Sequence, residues 1–475
     1  MQVMMRPMWN QGSTDFREEL RSYAGLIDQA ISEAFEGGEL LRDKEEVLAV
    51  LDASKAVLQR NYLARHRFRN SGIADADRGL YFTFSKSRFL RDYLALYKSK
   101  SLVVCCLFMT QQGEVWGALA TLKSSNLEVR PFCIVQKARA PAFLEDLTRY
   151  GQSLSTGLPN KIALESILQS CGHALIPRLI EIAYPDKIVF VPHRRLHIIP
   201  WHAAYLQKSD RTRLYVGDII DQVSYASSVF ELLWANWLPK GSRAKEPTGT
   251  LHVIDLSASD LPWVALEHEY VRGMRELGFP VQIVTRHSEL PKSMESYLRI
   301  TWSSHAASCP NGWGQSALFL GNKPVRAETI MSKWNLPYQP TVSLGACETA
   351  FDASAPEDSD EYCGLDLALR VAGAGAVAST MWSIADPVAA LGNLLVVQYE
   401  LADGISTSQA LCLFQRYLRS GEWYQHLPTE EQMEQLISQR RGTDQMRRVV
   451  HELRQLDPRE LQGMEYWACW RCVSA

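Results

Sequence analysis

The sequence lacks the features of a membrane or secreted protein. No apolar run approaches the roughly 18 residues that a membrane-spanning helix needs. Residues 1–20 carry charges and have no apolar core typical of a signal peptide. A net charge of −3 over 475 residues gives no general attraction to nucleic acid or to anionic lipid. We therefore expect a cytoplasmic protein that uses no membrane and makes no direct contact with nucleic acid.

Several chemical signatures are also missing. The sequence has no phosphate-binding loop, no dinucleotide-binding glycine motif and no serine-hydrolase elbow. Its ten cysteines do not follow the spacing of a disulfide framework, so we expect most of them to be reduced thiols. Cys469 and Cys472 have zinc or redox spacing, but no second pair accompanies them. We expect no metal and no other cofactor.

The hydrophobic pattern predicts three parts. Residues 1–95 have apolar side chains at helical spacing and predict a helical N-terminal segment. Residues 96–240 contain three β-rich runs that predict an antiparallel meander, followed by a helix over 160–183. The runs are Leu102–Met109, Val115–Leu122 and Leu127–Val135. A linker rich in glycine, proline and charge at 235–249 separates this part from residues 250–475.

Residues 250–475 alternate between strands and helices. This alternation predicts an α/β fold, with a mostly parallel sheet covered by helices on both faces. The predicted strands are 251–256, 281–284, 300–304, 341–344 and 376–381. The predicted helices are 265–277, 293–298, 365–372 and 386–402, and glycines close the last two, at Gly373 and Gly404.

Two of these strands end on reactive side chains, His305 and Cys347. Chemistry in an open α/β sheet collects beyond the carboxyl ends of its strands. The roughly 40 residues between the two side chains are enough for a crossover between parallel strands. Each residue also has a plain structural interpretation, a buried space-filling thiol or a hydrogen-bonded histidine. Together they are a candidate nucleophile and acid–base pair.

The residues around Cys347 resemble a known motif. Residues 344–350, LGACETA, look like the nucleophile motif of CHAT domains, the caspase-like modules related to caspases and separase. Four further blocks resemble that family in the expected order. They are a proline-rich strand–turn–strand at 189–204, a histidine strand at 300–306, a helix–strand–tryptophan block at 364–386 and a terminal strand at 466–468. The resemblance extends from about residue 95 to the last residues of the sequence.

The resemblance implies a caspase-like fold, with two caspase-like halves side by side. Residues 96–240 would be the non-catalytic half, and 250–475 the catalytic half. The implied activity is that of a cysteine endopeptidase. Cys347 would be the nucleophile, and His305 would protonate the leaving amine and position water. The backbone N–H groups of Ala306 and Cys347 would form the oxyanion hole.

Two positions depart from the family pattern. Ala306 stands where the family usually has glycine, and Gly345 where it usually has serine. Ala306 cannot adopt the positive φ angles that are open to glycine, so the oxyanion hole could be strained. For substrate binding, the resemblance indicates Asp386 as the acid facing a basic P1 side chain, with Asp352 as a fallback. Asp386 before Pro387 also fits the start of a helix.

The resemblance further implies a protein substrate, such as the product of a neighbouring gene, and a setting in bacterial antiviral defence. Residues 1–95 are too few for a stable TPR array, so an activating partner, such as a TPR-type or defence-complex protein, would be separate. Two alternatives stay open. One is a catalytically inactive CHAT scaffold or adaptor, and the other is a zinc or redox protein centred on Cys469 and Cys472.

Overall fold

A computed structural model of the chain describes most of the sequence beyond residue 100. The described residues are Gln29, Ile31, Phe35, 89–96, 101–123, 126–154, 156–229, 231–232, 249–308, 315–347, 349–350 and 364–474. Those up to residue 232 form one compact unit, and those from 249 to 474 form a second. Most of the helical segment predicted for residues 1–95 lies outside this set, as does Asp352, so both stay predictions. The role of residues 96–240 as a non-catalytic half also stays a prediction.

Five strands of the first unit pair side by side in the order β3-β2-β1-β4-β7, and β5 and β6 form a separate pair. Its elements are α1 (Phe89–Leu96), β1 (Leu102–Met109), β2 (Val115–Lys123), β3 (Asn126–Val135), α2 (Ala140–Leu154), α3 (Lys161–Glu181), β4 (Lys187–Val191), β5 (Tyr205–Gln207), β6 (Arg213–Tyr215), α4 (Val216–Ile219) and β7 (Gln222–Tyr225). β1, β2 and β3 pair antiparallel, which confirms the predicted meander. The predicted helix over 160–183 is α3, and the Asn160 side chain caps it by accepting the Ala163 N–H at 3.1 Å.

The strand–turn–strand expected over 189–204 is only half correct. β4 is present, but two short 3₁₀ helices, Arg194–Ile198 and Trp201–Ala203, replace the second strand. The Trp201 indole N–H donates to the Leu196 carbonyl at 3.0 Å, which closes a compact turn. Pro200 has no N–H group to give to a sheet. The bulky apolar side chains in this stretch pack around the turn rather than alternating between two sheet faces.

The second unit contains a six-stranded sheet and a small three-stranded one. Its elements are β8 (Gly249–Ile254), α5 (Pro262–Glu276), β9 (Val281–Val284), β10 (Tyr297–Ser303), β11 (Ala306–Ala307), β12 (Ala317–Leu320), β13 (Lys323–Arg326), α6 (Ala327–Lys333), β14 (Thr341–Gly345), α7 (Leu365–Ala372), β15 (Ala376–Thr380), α8 (Asp386–Asp403), α9 (Thr407–Ser420), α10 (Glu430–Ser438), α11 (Asp444–Gln455), α12 (Met464–Trp467) and β16 (Trp470–Ser474). The larger sheet has the order β16-β15-β14-β10-β8-β9. β16 is antiparallel to β15, and the other neighbouring pairs are parallel, which confirms the predicted α/β class.

Helices cover both faces of this sheet. Ser343 on β14 donates to Asn393 of α8, whereas Ser379 on β15 donates to Asp366 of α7. Ser343 pairs with Ala378, the residue before Ser379, so the two serines point to opposite faces. The helix ends follow the sequence: Gly373 after α7 and Gly404 after α8 both have positive φ, at 111° and 64°.

Two expectations for this unit are wrong. The helix expected over 293–298 is absent, because β10 already begins at Tyr297 by pairing with Gly249 of β8. The terminal strand is β16 rather than 466–468. The latter residues belong to the short helix α12 and the residue after it, where the Ala468 N–H bonds the Met464 carbonyl at 3.0 Å. This turn lets the Gln415 amide of α9 donate to the Trp467 carbonyl at 3.2 Å.

Candidate active site

The candidate site lies at the carboxyl ends of β10 and β14. These strands are parallel neighbours, and Ser303 pairs with Gly345 at the end of the ladder. His305 and Cys347 each follow one member of this pair by two residues. Because neighbouring strands lie about 4.8 Å apart, the same sheet end presents both side chains. This confirms the predicted adjacency of the two strands, while the roles of the two residues stay predictions.

His305 is held by a carboxylate that the sequence did not single out. Its Nε2 lies 3.0 Å from Oδ1 of Asp260, in the loop between β8 and α5. The hydrogen bond from His305 lowers the pKa of Asp260 below its ordinary value, so this carboxylate is ionised at neutral pH. A carboxylate only accepts, so Nε2 carries the proton, and a neutral imidazole then has its lone pair on Nδ1. The pair therefore selects the histidine tautomer.

Cys347 sits in a turn whose backbone is held firmly. The Thr380 hydroxyl donates to the Ala346 carbonyl at 2.6 Å, and the Ala350 N–H donates to the Thr380 carbonyl at 2.7 Å. The Cys347 side chain is partly exposed, and its Sγ lies 3.8 Å from the Ile384 carbonyl oxygen. Burial, with a smaller contribution from nearby Cys347, raises the pKa of the Cys469 thiol well above its ordinary value. Cys469 is therefore an inert thiol beside an accessible one.

The two departures from the family pattern have structural explanations. Ala306 lies in strand β11, paired with Leu318, and its φ is not positive, so no glycine is needed there. Gly345 makes room for a side chain from α8. A Cβ atom at Gly345 would lie 2.2 Å from the Asn393 Nδ2 atom, far inside contact distance. A serine at position 345 is therefore incompatible with this position of Asn393.

The Asn393 amide belongs to a buried polar cluster beneath the strand ends. Its Oδ1 accepts from the Ser343 hydroxyl at 2.6 Å, and its Nδ2 donates to Ser303 Oγ at 3.1 Å and to Glu267 Oε2 at 3.2 Å. The Ser303 hydroxyl also donates to Glu267. Burial raises the pKa of Glu267 to about 7, and the hydrogen bonds from Ser303 and Asn393 oppose that rise. The cluster ties α5 and α8 to β10 and β14.

Asp386, the predicted acid for a basic P1 side chain, is half-buried at the start of α8. Its Oδ2 accepts the backbone N–H of Trp263 at 2.8 Å, in the first turn of α5. Burial, with a smaller effect of Asp260, raises the pKa of Asp386. The hydrogen bond from the Trp263 N–H and the nearby His305 lower it. The structure therefore places Asp386 near both residues of the Asp260–His305 pair. Asp386 does stand at the start of a helix, but it is the first residue of α8 and not its N-cap, which is Ala385. Its side chain instead accepts an N–H from the first turn of α5.

Sequence reasoning missed Asp260, Glu267 and Asn393. Asp260 had one usable signal, because it follows the end of β8, the strand beside β10. Glu267 is one of several charged residues on α5, and Asn393 is one polar residue in the mostly apolar α8, so neither gave a signal. Within the described ranges, no group of three or more His, Cys, Asp or Glu side chains is arranged to hold a metal ion. In the same ranges, no helix combines the length and apolar character needed to cross a bilayer.

Comparison with known proteins agrees with this architecture. The sequence model of the CHAT domain matches residues 162–472, more than half of the chain. A comparison with curated proteins finds no significant match. Two crystal structures of the Saccharomyces cerevisiae separase–securin complex, at 2.6 and 3.0 Å resolution, share the fold with TM-scores of 0.50 and 0.51. Each alignment has 9% identity and covers 100% of this chain but 37% of the other, so the likeness concerns the fold alone. The chain belongs to the CHAT domain family.

Proposed function

We propose that the protein is a cysteine endopeptidase with Cys347 as nucleophile and His305 as acid–base group. The observation that carries this proposal is the pairing of Ser303 with Gly345, which brings the two side chains to one sheet end. The partial exposure of Cys347 and the Asp260–His305 hydrogen bond support it. A nucleophile, a base and a group that orients the base form the minimal arrangement for covalent catalysis.

In the proposed acylation step, Nδ1 of His305 takes the thiol proton of Cys347. The thiolate forms a C–S bond to the scissile carbonyl carbon, and the carbonyl oxygen becomes an oxyanion. Backbone N–H groups of Cys347 and Ala306 are the proposed donors to that oxygen. The imidazolium of His305 then protonates the leaving amine as the C–N bond breaks, which leaves an acyl-enzyme.

In the proposed deacylation step, His305 and Cys347 exchange protons in the opposite order. His305 removes a proton from a water molecule, whose oxygen attacks the thioester carbon. The C–S bond then breaks, and Cys347 regains its proton from His305. Asp260 does not exchange protons in this scheme. Its carboxylate holds the imidazole in the required tautomer and stabilises the positive charge that appears on the ring in both steps.

For specificity, we propose that Asp386 selects a basic P1 side chain. Its half-buried carboxylate lies near His305, but it already accepts a hydrogen bond from Trp263. A Lys or Arg side chain would add the missing counter-charge and lower the pKa of Asp386 again. Asp352, outside the described residues, is the second candidate for this role.

We further propose that the enzyme is latent and cleaves a specific protein in bacterial antiviral defence. A separate partner, such as a TPR-type protein, would activate it, and a neighbouring gene would encode the substrate. The separase neighbours were solved in complex with securin, so a protein partner has a precedent on a related fold.

Co-expression with the products of adjacent genes tests the proposal. Wild type and Cys347→Ala are compared, and new protein N-termini are mapped by mass spectrometry. We expect cleavage with wild type only, after Lys or Arg. Cleavage after apolar residues would remove Asp386 from the specificity role and leave the nucleophile assignment intact.

Thiol reactivity provides a test that needs no substrate. Among the eight described cysteines, Cys347 and Cys133 are partly exposed and the others are buried. Burial, with a smaller effect of Glu114, raises the pKa of Cys133 to about 11, which makes it a slow internal control. In a Cys309→Ser/Cys363→Ser background, we expect iodoacetamide at pH 7 to label Cys347 first and His305→Ala to slow that labelling. Equal labelling of Cys347 and Cys133 would favour the inactive scaffold.

A further inference from the structure

The second unit contains a cavity behind the candidate active site. Its volume is about 330 Å³, within the range of small-molecule sites. It lies between the sheet face formed by β8 and β10 and the two helices α5 and α8. Most of its wall is apolar or aromatic, including Tyr270, Met274, Leu394 and Val397. Two further lining residues, Phe279 and Arg441, are exposed and mark the side that opens to solvent.

The inner wall of the cavity carries polar groups. His252 of β8 and Thr301 of β10 are paired across the sheet, so their side chains share one face. Both residues are at least nine-tenths buried, with 5% and 1% of their surface exposed. In the part of the chain that the structure describes, neither the Nε2 atom of His252 nor the Oγ1 atom of Thr301 has a hydrogen-bond partner. Such groups are costly to bury unless something bonds to them.

His252 and Thr301 are uncharged near neutral pH. Burial, with a smaller effect of Arg299, lowers the pKa of His252 to about 3, so its ring is uncharged. Thr301 is a neutral hydroxyl. Glu267 also lines the cavity, and burial raises its pKa to about 7. A ligand group that bonds to His252 and Thr301 is uncharged, because an ion there would lose its hydration and neither of these two groups offers a counter-charge.

The cavity shares two residues with the polar cluster beneath the active site. Glu267 and Asn393 line it, and both bond to Ser303, two residues before His305. Asn393 also fills the space above Gly345, two residues before Cys347. A molecule in the cavity therefore contacts the side chains that position both strand ends. A shift of the Asn393 amide would be transmitted directly to β10 and β14.

We propose that this cavity is an effector site for a small, uncharged, mostly apolar molecule with one hydrogen-bonding group at its buried end. That group bonds to Thr301 and His252, and the apolar body packs between α5 and α8. Occupancy changes the reactivity of Cys347 through Glu267 and Asn393. The binding stands independently of the protease assignment, whereas its regulatory meaning rests on the proposed function.

Binding is tested with indole and its isostere indene, which lacks the N–H group. Calorimetric titration of the full chain should show saturable binding of indole, about 10-fold tighter than indene because one hydrogen bond is made to a buried group. Thr301→Val keeps the shape of the side chain and should bring the two affinities within about 2-fold of each other. Val397→Phe fills the cavity and should abolish binding of both molecules.

Coupling is tested by the rate at which iodoacetamide alkylates Cys347, with and without saturating indole. We expect a change of about 3-fold or more in wild type, and none in Val397→Phe. Absence of saturable indole binding overturns the proposal, as does binding that Thr301→Val leaves unchanged. Binding without any change in alkylation rate also overturns it. Because no substrate is needed, these results are independent of whether proteolysis is found.

Discussion

His305 and Asp260 illustrate how one exposed hydrogen bond determines the chemistry of a site. Both side chains are substantially exposed, at 42% and 71%, so their contact adds little to stability. Its effect lies in the imidazole tautomer. With Nε2 protonated, the other nitrogen is the one that would accept the thiol proton in the proposed mechanism. In that mechanism Asp260 is a positioning residue, and its loss would change the reaction rate rather than the stability of the fold.

Asp260→Asn should therefore lower kcat by about 10- to 100-fold, as loss of an orienting carboxylate does elsewhere. KM and thermal unfolding should change little, since Asp260 is exposed and its hydrogen bond goes to His305 rather than to the proposed P1 acid Asp386. Steady-state kinetics on a peptide taken from the mapped cleavage site measures the effects on kcat and KM separately. A matched control is Asp444→Asn, an exposed acid on α11. A rise in KM at constant kcat would instead assign Asp260 to substrate binding.

Gly345 is required for space and not for backbone freedom. Asn393 lies where a Cβ atom would be, and its three hydrogen bonds prevent it from moving aside. Gly345→Ala should destabilise the second unit by about 1–3 kcal/mol through overpacking. Hydrogen exchange of β14 amides measures this cost locally.

The double variant Gly345→Ala/Asn393→Ala provides the control for this prediction. It relieves the clash, so the two substitutions together should cost at least 1 kcal/mol less than the sum of their separate costs. Additive costs would mean that Gly345 matters for some reason other than Asn393.

Among the secondary-structure elements, β16 is fixed to the sheet by a buried ion pair. Arg471 donates from Nε and Nη2 to Oδ2 of Asp366 on α7, at 3.0 and 2.7 Å, and Ser379 of β15 donates to the same oxygen at 3.1 Å. Both charged side chains are almost fully buried. Such a pair contributes little net stability compared with apolar packing. The loss of one partner, however, leaves the other charge buried and unpaired, which is strongly destabilising.

Asp366→Ala should therefore destabilise the unit by about 3–5 kcal/mol and accelerate exchange of β16 amides. The double variant Asp366→Leu/Arg471→Met removes both charges and should recover most of that loss. Urea unfolding followed by hydrogen exchange measures both variants. If the double variant were no more stable than the single one, the pair would have a role beyond charge compensation.

The stability of the protein should depend on pH through Glu267. Burial raises its pKa from an unfolded value of 4.5 to about 7 in the fold; the hydrogen bonds from Ser303 and Asn393 oppose the rise, and the nearby charge of Asp386 adds to it. Below pH 4.5 the carboxyl is protonated in both states. Between pH 4.5 and 7 the folded state holds the extra proton, so stability falls as pH rises. Above pH 7 the loss is complete, at about 3 kcal/mol.

Glu267→Gln keeps an acceptor for Ser303 and Asn393 and removes the titration. Between pH 4.5 and 8, wild type should lose about 3 kcal/mol more unfolding free energy than this variant. Other groups, including Asp386, titrate in both proteins and cancel in the difference. Denaturant unfolding at the two pH values measures this difference in unfolding free energy, and hydrogen exchange of β10 amides reports it locally. Parallel pH dependence in the two proteins would show that Glu267 ionises in the fold as easily as in the unfolded chain.

The sequence was most informative where structure depends on near neighbours. Apolar runs and turn residues predicted the β1–β3 meander, and Gly373 and Gly404 predicted the ends of α7 and α8. The alternation of strands and helices predicted the parallel sheet. It was least informative in irregular stretches, where the turn at 194–203 and the start of β10 were misread. There the side chains of the folded core decided between strand, turn and helix.

An α/β fold in which His305 and Cys347 end two neighbouring strands follows from the amino-acid sequence alone. Residue periodicity and motif order are local properties, and they are sufficient for that. The packing of the folded chain was needed to bring Asp260 to His305, to place Asn393 in the space left by Gly345 and to form the cavity behind both. Asn393 and Glu267 are 126 residues apart along the chain, and their contact exists because α5 and α8 pack on one sheet face. No local pattern encodes which polar residue on each helix will meet the other.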